Sequence, residues 1–157
     1  MNKENKKLGV IGLGYVGLPL AIQYTKIGFE VKGFDVDQSK IDLLNSGESY
    51  IKHISDEDVK SLMNDEEFAT SNFQELRDVD IIFVCVPTPI DKFRNPYMGH
   101  IEETAKAISK NLRKNHLILI ESSTYPGTTN DLVKPLLEES GLKCHSDFYL
   151  AYSPERE

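Results

Sequence analysis

The stretch LGVIGLGYVGLPLAI, residues 8 to 22, constrains this chain more than any other. It sets Gly12, Gly14 and Gly17 between an apolar β-type run and an amphipathic helical one. Glycine inside a helix costs roughly 1 kcal/mol against alanine, so these residues do not serve local stability. They fit GxGxxG in its demanding context, with a strand before and a helix after. Gly12 permits the tight turn, Gly14 lets the backbone approach a pyrophosphate, and Gly17 lets the helix pack closely on the strand. An anion then sits at the helix amino terminus, where N–H groups such as those of Tyr15 and Val16 and the helix dipole favour negative charge.

The second β-type run sharpens the ligand. VKGFDVD ends its apolar part at Asp35, eighteen residues after Gly17, where a carboxylate accepts hydrogen bonds from adenosine ribose hydroxyls. It also repels a 2′-phosphate, which favours NAD over NADP. The competing reading makes Asp35 or Asp37 a cap for the next helix. S-adenosylmethionine enzymes share a glycine turn and an acidic ribose contact; the third glycine favours a dinucleotide.

Along the rest of the chain, short β-rich runs alternate with longer amphipathic ones, the pattern of βαβ units. Strands are expected at Leu8 to Leu13, Glu30 to Asp35, Phe68 to Ser71, Asp80 to Val86, His116 to Glu121 and Asp147 to Tyr152. Helices are expected at Tyr15 to Ile27, Ser39 to Asn45, Ser55 to about Asn64, His100 to Leu112, and from Thr128 to before Gly141, the last kinked at Pro135. The fold class is therefore α/β: a Rossmann-type, doubly wound, mostly parallel six-stranded sheet with helices on both faces. A chain of 157 residues is sized for one such domain. One long irregular connection, PTPIDKFRNPYMG at residues 87 to 99, follows a buried strand, where such folds place ligand contacts.

Charge and composition exclude other classes. With 18 Lys and Arg against 25 Asp and Glu, a net charge of −7 leaves no basic stripe for nucleic acid. No run approaches a membrane span, and MNKENKK leads straight into an apolar strand with no secretory signal, so a cytoplasmic address is expected. Cys85 in IIFVCV reads as a small buried hydrophobe, and neither it nor Cys144 has metal-ligand spacing, so no metal site is expected. His53 reads as a surface residue and His100 as a helix start.

GLGYVGLPLA, FVCVPTP, ESSTYPGTT and YSPERE, in this order and at these separations, closely resemble the amino-terminal domain of the UDP-glucose/GDP-mannose dehydrogenase family. The YPGTT and SPERE versions look most like UDP-N-acetylhexosamine 6-dehydrogenases of bacterial polysaccharide synthesis. The resemblance covers Lys7 to Glu157. It implies oxidation of a nucleotide-sugar C6 alcohol to a carboxylate with two NAD in succession. It further implies that Tyr15, Val16 and Asp35 contact the cofactor and that Lys40 reaches the adenosine ribose. Thr88 would lie beside the cofactor. Thr124 would stand near the nicotinamide and help position a water, and Glu155 would be a catalytic carboxylate for proton transfer. Thr88 and Thr124 each follow an expected strand, at the same sheet edge as Gly12 and Asp35.

The family's second half carries the nucleophilic cysteine, a lysine, an asparagine and the sugar-nucleotide pocket. Its second oxidation passes through a thiohemiacetal and a thioester, which need an activated thiolate. The resemblance thus implies that residues 1–157 form the NAD-binding domain alone, without the central helix and UDP-sugar domain, and do not turn over unaided. Family enzymes commonly form homodimers through a helix beyond this region. One departure is Tyr97, where relatives usually carry an acidic residue that opens the next helix. Two further readings are a non-catalytic NAD-sensing module, which has no purpose for SSTYPGTT and SPERE, and the amino-terminal domain of a 3-hydroxyacid dehydrogenase, a family that lacks the SPERE ending.

Overall fold

The computed structural model describes residues 6–63, 67–90 and 96–154. Six parallel strands form one sheet: β1 (Lys7–Ile11), β2 (Glu30–Phe34), β3 (Ala69–Thr70), β4 (Ile81–Val84), β5 (Leu117–Ile120) and β6 (Tyr149–Tyr152), in the order β3-β2-β1-β4-β5-β6. The register pairs Val10 with Gly33 on one side and with Phe83 on the other. The direction in which strands are added reverses at the β1/β4 boundary, with β2 and β3 on one side and β5 and β6 on the other. At that boundary the connections leave on opposite faces and open a crevice at the carboxyl edge.

The period-2 alternation decides which face each residue covers. Leu8 and Val10 of β1, with Phe83 and Cys85 of and after β4, face a core completed by Leu18, Ala21 and Ile22 of α1 (Gly17–Lys26) and Ile41 and Leu44 of α2 (Gln38–Asn45). Ile11, Ile82 and Val84 face the other core, closed by Ile101, Ala105 and Ile108 of α4 (Gly99–Asn111). α3 (Asp56–Lys60) completes the first layer through Val59, and α5 (Lys134–Glu138) completes the second through Leu137. Each Leu, Ile, Val or Phe among them taken fully from water contributes about 1.5–3 kcal/mol.

Boundaries differ from expectation where the backbone turns, tightens or widens locally. α1 starts at Gly17 rather than Tyr15, because residues 14 to 16 form the turn. Ser55 and Asp58 do form the expected reciprocal cap, the Asp58 N–H donating to Ser55 Oγ at 3.1 Å. Yet α3 stops at Lys60: the Leu62 and Met63 N–H groups bond three residues back, to Val59 and Lys60, which tightens the last turn. Asn64 lies outside the described residues. Pro135 falls in the first turn of α5, and the segment ahead of it, Thr128–Val133, is wound wider, as a π-helical turn. The missing proline N–H is thereby placed where a helix start leaves donors unused. A 3₁₀ segment at Phe73–Asp78, opened by Asn72 accepting from the Gln74 N–H, had no signal of its own in the sequence. Met98 precedes α4 with no side-chain cap, as the departure at Tyr97 implies.

The amino edge of the sheet is sealed. Asp80 accepts from the Lys7 N–H at 3.1 Å and from the Arg113 guanidinium at 3.1 Å, with Lys6 Nζ at 3.3 Å. Burial alone would raise the Asp80 carboxyl; these donors outweigh it and hold it below its ordinary value. Arg113 also donates to the carbonyls of Arg77 and Val79, at 2.8 and 2.6 Å. His116 is fully buried beside it, its Nδ1 accepting from the Arg113 N–H at 3.2 Å and its Nε2 lying 3.0 Å from the Val79 carbonyl. This fits a neutral ring with the proton on Nε2. Burial, reinforced by the Arg113 charge, brings its pKa down to about 4.

Candidate functional site: a dinucleotide cleft at the carboxyl edge

The glycine turn is built by two contacts and one vacancy. Gly12 adopts φ +90°, and a Cβ there would stand 2.8 Å from the Cys85 carbonyl oxygen. A Cβ at Gly17 would stand 2.0 Å from the Gly12 carbonyl oxygen, so the close approach of α1 to β1 requires glycine. A Cβ at Gly14 would meet nothing within 4 Å; it would project into open space. The N–H groups of Gly14, Tyr15 and Val16 donate to no acceptor among the described residues, while the carbonyls of Gly14 and Val16 accept from Leu18 and Leu20 of α1. Three such donors at the start of a 10-residue helix can receive an anion. The described residues therefore fit a pyrophosphate.

Asp35 follows β2 and is only 7% exposed. Its Oδ2 accepts from the Leu13 N–H at 2.8 Å and its Oδ1 from the Asp37 N–H at 3.0 Å. An ionised carboxylate offers about four lone-pair positions, so each oxygen retains capacity for a hydroxyl donor. Asp37 takes the capping role instead, accepting from the Ser39 N–H at 3.0 Å. Lys40 Nζ lies 3.9 Å from Asp35 Oδ2 and 5.9 Å from the centre of the Tyr50 ring. The Tyr50 hydroxyl donates to the Leu13 carbonyl. Burial, then the charges of Asp35 and Asp37, push the Tyr50 phenol above its ordinary value, so it stays a donor. Tyr15, 75% exposed, stacks on His53 with ring centres 6.0 Å apart.

A cleft of about 1110 Å³ runs from Asp35 and Lys40 past Gly12, Gly14, Tyr15 and Val16 to Thr88, Ser122 and Ser123. It thus joins the ends of β2, β1, β4 and β5 across the β1/β4 boundary. Thr88 Oγ1 donates to the Ser123 carbonyl at 2.7 Å, and Ser122 Oγ to the Val86 carbonyl at 2.7 Å, which ties the β4 and β5 loops together. The Thr88 proton is committed, so its hydroxyl faces the cleft as an acceptor. Of the expected residues, Gly17 supports the turn from beneath and does not line the cleft. Thr124 stands one residue beyond Ser123, its N–H 3.4 Å from the Tyr152 hydroxyl, and does not line it either. Glu155 lies outside the described residues.

Sequence reasoning missed the far wall. His100, Glu103, Thr104 and Ala107 of α4 face the cleft, as does Phe73 of the 3₁₀ segment. The four α4 positions share one helical stripe, adjacent to the buried stripe of Ile101, Ala105 and Ile108. That second stripe was readable, but nothing in its mixed composition marks it. His100 stands in the first turn of α4, one residue after its start at Gly99, and packs edge-on against Tyr97. Cys85 is 8% exposed and lines the cleft floor. Among the described residues no cluster of His, Cys, Asp and Glu could hold a metal, and no helix is long and apolar enough to cross a membrane.

Comparison with known proteins agrees with this architecture. Residues 6–157 match the family model described as the UDP-glucose/GDP-mannose dehydrogenase family, NAD binding domain. A UDP-N-acetyl-D-glucosamine 6-dehydrogenase from Pseudomonas aeruginosa is 40% identical over 98% of this chain and 36% of its own length. A UDP-N-acetyl-D-mannosamine dehydrogenase from Pyrococcus horikoshii is 31% identical over 96% of this chain and 36% of its own. Among solved structures, a ternary complex of GDP-mannose dehydrogenase from Pseudomonas aeruginosa superposes with TM-score 0.88 at 35% identity, covering 95% of this chain and 36% of that one. The chain thus spans about a third of the length of the relatives it matches. These likenesses, with the cleft that joins Gly14 to Asp35, set aside the 3-hydroxyacid dehydrogenase reading and place the chain in the UDP-glucose/GDP-mannose dehydrogenase family, as its NAD-binding domain.

Proposed function

We propose that the chain is the cofactor-binding part of a nucleotide-sugar 6-dehydrogenase that converts the C6 hydroxymethyl of a UDP-N-acetylhexosamine to a carboxylate, for polysaccharide biosynthesis. The observation that carries this reading is the single cleft in which three unpaired N–H groups at a helix start face the same space as a buried, backbone-clamped carboxylate. The names of relatives at 31–40% identity support the substrate class. NAD, when bound, supplies the two-electron oxidant, once for each of two oxidations per sugar.

The chain's own residues then divide the work. Gly14, Tyr15 and Val16 hold the pyrophosphate by their N–H groups, with Gly12 and Gly17 fixing the turn that aims them. Asp35 accepts from the adenosine ribose hydroxyls, and Lys40 sits beside it. Thr88 accepts from a donor at the nicotinamide end. Thr124, next to Ser123, positions a water there, and Glu155, carried after β6, takes the water's proton as general base. Residues 1–157 are one domain, with the sugar-nucleotide pocket and central helix outside them. The enzyme works in the cytoplasm as a homodimer, with no nucleic-acid or membrane partner.

Calorimetric titration with NAD and with NADP tests this. Saturable NAD binding is expected, with NADP at least about tenfold weaker. Gly14→Ala should leave the melting temperature unchanged and weaken NAD by at least about tenfold, because its methyl occupies only ligand space. A folded chain that binds neither cofactor would overturn the proposal.

A further inference from the structure

Leu13 is held at both of its backbone polar groups. Its N–H donates to Asp35 Oδ2 at 2.8 Å and its carbonyl accepts from the Tyr50 hydroxyl. The Leu13–Gly14 peptide is trans, so the Leu13 carbonyl and the Gly14 N–H point in opposite directions. Whatever anchors the carbonyl therefore aims the first of the three unpaired donors. A turn with glycine at positions 12 and 14 does not anchor itself, because glycine visits several backbone wells at little cost. If this peptide flipped, it would present a carbonyl oxygen to an anion in place of an N–H.

We infer that Tyr50 is a positioning residue for the anion site: its hydroxyl holds the Leu13–Gly14 peptide in the orientation that aims the Gly14 N–H for a pyrophosphate. This deepens the dinucleotide reading and rests on it for the identity of the anion. In the sequence Tyr50 lies after α2, in GESYIK, and belongs to none of the cofactor motifs. Its ring is fixed in turn by Lys40, whose ammonium stands over it at 5.9 Å while lying 3.9 Å from Asp35. Tyr50 thus links the carboxylate that reads a ribose to the turn that binds a diphosphate.

The test is Tyr50→Phe, which keeps the ring and its contact with Lys40 and removes only the donor. Tyr24→Phe serves as the control, since Tyr24 packs in the same core against Phe29 and Phe83, away from the turn. Calorimetry with NAD and with adenosine, which has no phosphate, separates the turn from the ribose contact. Tyr50→Phe should weaken NAD by about five- to tenfold and adenosine by less than about twofold, while Tyr24→Phe leaves both unchanged. In ligand-free nitrogen-15 relaxation spectra, the Gly14 and Tyr15 amides should lose order in Tyr50→Phe alone. Equal weakening of both ligands, or unchanged NAD affinity with Gly14 still ordered, overturns the inference. Should the wild-type chain bind no NAD, the dinucleotide reading fails separately, and the Gly14 amide still decides whether Tyr50 positions the turn.

Discussion

The two edges of the sheet spend similar residues in opposite ways. At the amino edge Asp80, Arg113 and His116 face one another and the backbone, and the described donors and acceptors of that trio are paired inward. At the carboxyl edge Asp35 is clamped just as tightly, yet three neighbouring N–H groups have no acceptor among the described residues and Gly14 opens onto space. One edge holds the strands together and the other is arranged for something to arrive. Stability and binding should therefore respond to different substitutions.

Acid should produce the largest effect, and only on stability. The unfolded chain protonates His116 near pH 6.5, whereas the folded chain keeps it neutral down to about 4. Its contribution is complete above pH 6.5 and lost as pH falls toward 4, amounting to about 3 kcal/mol. Urea unfolding at pH 7 and pH 4 measures this against His116→Gln, in which this part of the pH dependence should vanish. NAD affinity of His116→Gln at pH 7 should match wild type, and a large loss there would break the division between the edges.

Asp35→Asn should come next and act the other way. The amide oxygen still accepts from the Leu13 N–H, but the amide NH2 leaves the Asp37 N–H without its acceptor, so stability should fall by about 1 kcal/mol, less than at His116. NAD should weaken by about tenfold and the preference against NADP relax. Paired titrations with the two cofactors read both. The smallest effect is expected from Thr88→Val, which removes an exposed hydroxyl already bonded to Ser123. NAD affinity should fall by no more than about threefold, with unfolding nearly unchanged. A larger drop in stability would mean that the Thr88–Ser123 link belongs with the sealed edge.

Why some of this was legible in sequence, and some not, follows from range. Strand alternation and the glycine spacing are local, so β1, β2 and the Gly12–Gly14–Gly17 turn could be read from residue order. Asp35 was legible because the length of a βαβ unit fixes its distance from the turn. Tyr50 and the Glu103–Thr104 wall were not, since their roles exist only once α2 and α4 are folded against β1 and β4. The early end of α3 and the 3₁₀ segment depend on i to i+3 bonds that carry no periodic signature.

The obstruction at Gly17 has a consequence on a longer timescale. Every single-base change in a glycine codon that alters the amino acid adds a Cβ, and here that atom would meet main chain, 2.0 Å from the Gly12 oxygen. No repacking of side chains elsewhere relieves a clash with backbone, so drift at Gly17 has no compensated route. At Gly14 the same mutational step meets only empty space. With the proposed role of Gly14 at the pyrophosphate, a lineage can lose the cofactor in one step while keeping the fold, and an intact sheet with a silent cleft is the form in which descendants of such a domain should turn up.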